Sequence, residues 1–201
     1  MHSETMTGAA ARKAELVDSI DSASLINLIN LVRPLRRGDR PALARLVAAV
    51  ENFNEAEREC AMELADIYLD DLDKGVRGDY RFAAVALSSC TSDVGDTGDL
   101  AGYACWGPVP LTKGTFDLYW IAAHPATRRL GTGRALVAHV EGEVRREGGW
   151  LLVAETSAKE SYQGTITFYR RLDFQEVSHI RDFYDIGDDR LIFIKRLHTD
   201  L

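Results

Sequence analysis

Cysteine is scarce in this chain: three residues in 201, at positions 60, 90 and 105. None has a histidine or second cysteine at ligand spacing, which argues against a disulfide framework and a zinc site and for reduced thiols in a cytoplasmic protein. No apolar run approaches the roughly 20 residues of a membrane span. The opening Met1-His2-Ser3-Glu4 lacks the basic, then apolar, make-up of a secretory signal. Positive charge is short as well; a net charge of −7 is unfavourable for nucleic acid, whose binders show basic surfaces. The same balance is mildly suited to a cationic amine, although it equally serves solubility. Internal repeats and low-complexity tracts are missing too. What remains is an ordinary globular composition, 46% apolar and 27% charged, long enough to bury a real core.

Residues 1–29 read as an extension, helical or mobile, ahead of one domain over 30–201. A short strand around Val32 leads to a turn, with Asp39 placed to cap a helix. Leu43, Leu46, Val47 and Val50 recur at helical spacing, as do Cys60, Leu64, Ile67 and Tyr68. Asp70 to Asp79 reads as a solvated acidic connection. Phe82 to Ser88 and Leu100 to Trp106 are strand-like across the turn Thr91 to Asp99, and a hairpin returns into Phe116 to Ile121. Leu136, Val137, Val140 and Val144 form a helical stripe that stops at Gly148-Gly149. Trp150 to Ala154 suits a buried central strand. A helix over Thr165 to Arg171 and a final hairpin over Val177 to Tyr184 and Leu191 to Arg196 complete the order β-α-α-β-β-β-α-β-α-β-β.

The richest stretch is Arg128-Arg129-Leu130-Gly131-Thr132-Gly133-Arg134-Ala135, between an apolar strand closed by His124-Pro125 and a segment of helical period. First-turn amides lack intrahelical partners and the helix dipole favours negative charge, so such a loop binds phosphate. Gly131 and Gly133 remove side chains that would hold an anion off the backbone, and Arg128, Arg129 and Arg134 add donors suited to phosphate oxygens. A Walker loop is ruled out, because one residue separates the glycines and Arg134-Ala135 follows them. A dinucleotide fingerprint lacks its third small residue at Leu136, though Glu155 stands at a ribose-holding distance and keeps that alternative open. Arg128-x-x-Gly131-x-Gly133 fits the coenzyme A loop in register.

The run His124 to Gly133, together with Ile166-Thr167-Phe168-Tyr169-Arg170-Arg171-Leu172-Asp173-Phe174, resembles the two signatures of the GNAT family of N-acetyltransferases. The likeness in element order extends over 32–197. It implies an α/β (α+β) fold with a mixed, mostly antiparallel central sheet flanked by helices. It implies acetyl-CoA as cosubstrate and no metal, with a small-molecule or peptide amine as acceptor. The coenzyme contacts would be Ile121, Ala122 and Ala123 on the strand, Arg128 through Ala135 in the loop, and Tyr162, Phe168 and Tyr169. Homodimers are a further implication, since edge strands near the C-terminus often pair between subunits in the family. The family commonly has Gly where Arg129 and Asp173 stand, which predicts altered turn geometry. It commonly has Asn where Tyr162 stands, which puts that coenzyme contact in doubt.

Transfer of an acetyl group to an amine needs a base for the ammonium proton and an acid for the departing thiolate. Tyr169 matches the family's catalytic tyrosine, and a phenol is protonated at neutral pH. Asp117, where many members carry glutamate, and Glu155 are rival candidates for the base; a water chain is a third. Strand alternation puts Asp117, Tyr119 and Ile121 on one face and Leu118, Trp120 and Ala122 on the other. An amide near Ala122 would polarise the thioester carbonyl. His124 and His139 read as a turn residue and a helix-face residue. Asp182, Asp185, Asp188 and Asp189 read as a solvated turn. A coenzyme A-binding module without catalysis stays open beside the enzyme, but it has no use for Tyr169 and two carboxylates.

Overall fold

A computed structural model describes residues 22–87 and 98–197; Cys90, most of the Thr91 to Asp99 turn and the chain before Ser22 lie outside them. The elements are α1 (Ser22–Leu31), β1 (Arg33–Pro34), α2 (Arg40–Ala49), α3 (Glu55–Asp73), β2 (Arg81–Ala86), β3 (Leu100–Pro108), β4 (Thr115–Ala123), α4 (Thr132–Arg146), β5 (Leu151–Ser157), α5 (Gln163–Arg171), β6 (Gln175–Asp185) and β7 (Asp188–Arg196). From β1 onward this is the order the sequence predicts. α1 runs across position 29, and its Leu25, Leu28 and Ile29 pack on the core.

Local chemistry sets the helix ends. The Asn54 side chain accepts the Glu57 amide at 2.9 Å while the Glu57 carboxylate accepts the Asn54 amide at 2.7 Å, a reciprocal cap on α3. α4 buries Leu136, Val137, Val140 and Val144 and stops before Gly148, whose φ of 78° is left-handed. Three expectations need correction. α3 buries Ala61, Ala65, Tyr68 and Leu69 instead of the Cys60 and Ile67 stripe, because alanines let the helix lie close on the sheet. Asp70 to Asp73 belong to that helix, and Arg37 bonds both Asp70 and Asp73. Asp39 stands at the N-cap of α2 but makes no side-chain cap bond to that helix; its carboxylate takes the Arg33 fork at 2.6 and 2.8 Å and accepts the Arg36 amide at 2.8 Å, closing the 3-10 turn before it.

Seven strands form one sheet in the order β1-β2-β3-β4-β5-β7-β6, antiparallel except where β4 meets β5. α1, α4 and α5 cover one face. On the other, α2 and α3 enclose a second cluster with Phe82, Tyr103 and Cys105, and that cluster contains no residue of β5, β6 or β7. The helix-free part of this face is floored by the outer strands.

β4 and β5 pair only from Thr115–Leu118 against Leu151–Ala154. Past that point β4 keeps its β3 partners through Ala123 but has none on β5. A parallel pair that parts midway leaves a wedge with unpaired edge amides. On its β3 side, β4 carries a bulge: Cys105 faces Trp120 and Trp106 faces Leu118, so Tyr119 is the extra residue. The bulge overturns simple alternation. Phe116, Leu118 and Ile121 face the α4 side, whereas Trp120 and Ala122 join the α2–α3 side, where Asp117 also points by its alternation with Phe116 and Leu118.

Candidate active site

The glycine loop closes the wide end of the wedge. A 3-10 turn over Pro125–Thr127 precedes it, capped by the His124 ring nitrogen, which accepts the Ala126 amide at 3.1 Å. Thr127, 1% exposed, pins this turn to β3 by donating to the Ala101 carbonyl at 2.9 Å. Gly131 has a φ of 80°, a conformation only glycine takes without strain. The first bond of α4 runs from the Ala135 amide to the Gly131 carbonyl at 2.9 Å. The amides of Thr132, Gly133 and Arg134 therefore stand ahead of the helical ladder. Thr132 is 1% exposed, and its Oγ1 is buried without a partner. That hydroxyl is sealed from outside, so it is the three first-turn amides ahead of the helical ladder that fit an anionic group. Gly133 has a different reason from the expected one: a Cβ there would lie 3.0 Å from the Phe168 ring, so the glycine admits α5 against α4. Arg129 and Arg134 are exposed; Arg128 pairs with Glu51 at 3.1 Å.

Among the candidate catalytic groups, Asp117 and Glu155 stand close enough to influence each other's charge, on the helix-free face. Burial, then the Glu155 charge, push the Asp117 carboxyl up, while Arg190 pulls it down. Glu155 is ion-paired to Arg190 across β5 and β7. The Arg190 guanidinium also lies 4.5 Å over the Phe183 ring. Sequence reading missed Arg190, because its partners come from other strands. Next to Asp117, burial and that carboxylate push Tyr119 up to about 12. Tyr169 packs among Phe174 and Phe193 at ring distances of 5.2 and 5.5 Å, and burial raises its phenol well above the ordinary value. It is protonated throughout the neutral range.

Tyr162 has a use the sequence did not reveal. Its hydroxyl reaches the Asn52 carbonyl at 2.9 Å and the Glu57 carboxylate at 2.6 Å, tying the start of α5 to the α2–α3 corner. The four aspartates of the last hairpin are held, not merely solvated. Asp182 accepts the Gly187 amide, Asp185 accepts the Ile186 amide, and Asp189 accepts the Asp182 amide and pairs with His179. Asp188 accepts from Ser157 at 2.5 Å and pairs with Lys159 at 2.7 Å. His139 lies edge-on to Trp106, and burial lowers its pKa. No helix among the described residues is long and apolar enough to cross a membrane.

A family model described as an acetyltransferase (GNAT) domain matches residues 89–176. A crystal structure from Desulfovibrio desulfuricans, assigned to the GNAT family, is 37% identical; the match covers 83% of this chain and 98% of that one, with a TM-score of 0.72. The chain belongs to the GNAT family of acetyltransferases. Two more distant structures share the fold. Ribosomal-protein-alanine N-acetyltransferase from Brucella melitensis is 22% identical over 83% of this chain and 99% of that one, TM-score 0.59. An aminoglycoside 6'-N-acetyltransferase complexed with coenzyme A is 14% identical over 85% and 98%, TM-score 0.59. No curated protein matches the chain.

Proposed function

We propose that the protein transfers an acetyl group from acetyl-CoA to a primary amine of a small molecule or an amino terminus. The observation that carries this reading is the wedge: β4 and β5 part after Leu118 and Ala154, beside a loop whose first-turn amides are free. Bound there, the coenzyme supplies a thioester, an acyl donor reactive toward a neutral amine. Amides of Thr132, Gly133 and Arg134, with the Arg128 side chain, hold the diphosphate. Edge amides of Ile121 to Ala123 pair with the pantetheine arm and polarise the carbonyl. Asp117 is assigned as base in preference to Glu155, because Arg190 already occupies Glu155. Tyr169, kept protonated by burial, is assigned as the acid. Tyr162 is assigned to fastening the α2–α3 corner and Phe168 to supporting Gly133. The free thiols Cys60 and Cys105 support a reducing, cytoplasmic location, with residues 30–201 as the catalytic domain.

The test is Tyr169→Phe, which keeps the ring packing. Turnover over an amine panel falls by about 10²-fold or more, while calorimetric affinity for coenzyme A is unchanged. Unaltered turnover removes Tyr169 from the chemistry, and a wild-type protein that binds coenzyme A without acetylating any amine is a binding module.

A further inference from the structure

The α2–α3 corner touches the coenzyme loop, and that contact has a consequence for ligand exchange. Glu51 reaches from the corner to Arg128, Oε2 to Nη2 at 3.1 Å. Both side chains are open to solvent, 74% and 53% exposed. An exposed ion pair between two free chains is weak. Here one partner sits on a fixed corner. Phe53, 8% exposed, packs edge-on against Trp120 of β4 at 5.1 Å. Tyr162 bonds the Asn52 carbonyl from the far side of the wedge. The Asn54–Glu57 cap continues the corner into α3. The chain just after Glu51 is thus anchored to β4, to Tyr162 and to the start of α3, and the Glu51 carboxylate is presented beside the arginine that opens the glycine loop.

We propose that Glu51 is a positioning residue for coenzyme exchange: it holds Arg128 while the loop is empty and competes with the diphosphate for that arginine. The inference rests on the reading of the loop as the coenzyme site. Two effects share one sign. Arg128 must leave Glu51 to serve the phosphates, and the freed carboxylate then stands near a dianionic group and repels it. Both lower affinity and speed departure of the product coenzyme. A GNAT loop with this arginine unopposed would bind more tightly and release more slowly.

The experiment is calorimetry of the full chain with coenzyme A, using Glu51→Gln, Arg128→Gln and the double variant, at low and high salt. Glu51→Gln is expected to tighten binding by about two- to fivefold at low salt, the range an exposed pair can shift. The gain fades at high ionic strength and disappears in the Arg128→Gln background, while Glu51→Asp behaves like the wild type. Stopped-flow displacement shows slower release from Glu51→Gln by a similar factor. Pantetheine, which lacks the diphosphate, binds both forms alike. Equal or weaker coenzyme A binding by Glu51→Gln overturns the proposal, as does a gain that persists without Arg128. A wild type with no affinity for coenzyme A fails differently, by removing the loop assignment itself.

Discussion

Asp117 has no ion pair among the described residues, and burial together with the Glu155 charge holds its carboxyl above the ordinary carboxylate range while Arg190 pulls the other way. Asp117→Asn is expected to lower kcat/KM by about 10²- to 10⁴-fold, the span of general-base contributions, measured by thioester loss at saturating acetyl-CoA. The sign for its neighbour follows from charge. Glu155→Gln removes a raising influence and leaves Arg190 unpaired beside Asp117, so the acidic limb of the kcat/KM profile moves to lower pH. A limb that stays in place would mean Asp117 is not the titrating base. Folding linkage gives a second reading. A raised carboxyl favours the native state below its unfolded pKa, and that contribution is lost as pH rises through the native one. Asp117→Asn is therefore expected to raise Tm at neutral pH while lowering turnover.

At the scale of elements, Arg129 and Asp173 show what the family's glycines are for. Both have left-handed φ values, 67° and 62°, a region glycine enters freely and other residues enter at some backbone strain. Asp173→Gly at the end of α5 is expected to stabilise by about 0.5–1 kcal/mol, read as an increase in the urea midpoint at constant m-value. Gly133→Ala sets two effects against each other: the new Cβ lies 3.0 Å from the Phe168 ring, an overpacking cost of about 1–3 kcal/mol, against about 1 kcal/mol of helix propensity gained over glycine, for a net loss of up to about 2 kcal/mol. A melting scan that shows a gain would mean α5 can slide away from α4. Element order, the α4 stripe and the glycine loop were legible because period and turn chemistry are local properties. The Tyr119 bulge was not, since it is imposed by pairing with β3, nor was the Phe168–Gly133 contact between elements 35 positions apart. Tyr162 occupied a motif position, yet its partners Asn52 and Glu57 come from the other half of the chain. Among candidate site residues, motif spacing points to those proposed to act through the main chain, while the Arg190–Glu155 pair needed the sheet.

For the whole molecule, the wedge divides the sheet into β1–β4 and β5–β7, joined by a four-residue parallel seam and by the α4 side of the core. A ligand pairing with β4 beyond Leu118 extends that seam without adding a strand bond within the chain. Binding only to the native state stabilises it by about 2.7 kcal/mol at a hundredfold excess over Kd, which for a chain of this size raises Tm by roughly 5–10 °C. Hydrogen exchange would locate the gain. The edge amides between Tyr119 and Ala123 and those of Thr132 to Arg134 should slow when coenzyme A is added, because those groups acquire partners. Phe116 to Leu118 lie in ladders on both sides of β4 already, and their amides should change only as far as global stability does. Protection spread evenly over β4 would mean that the coenzyme acts by general tightening, and that the parted strands are not its seat.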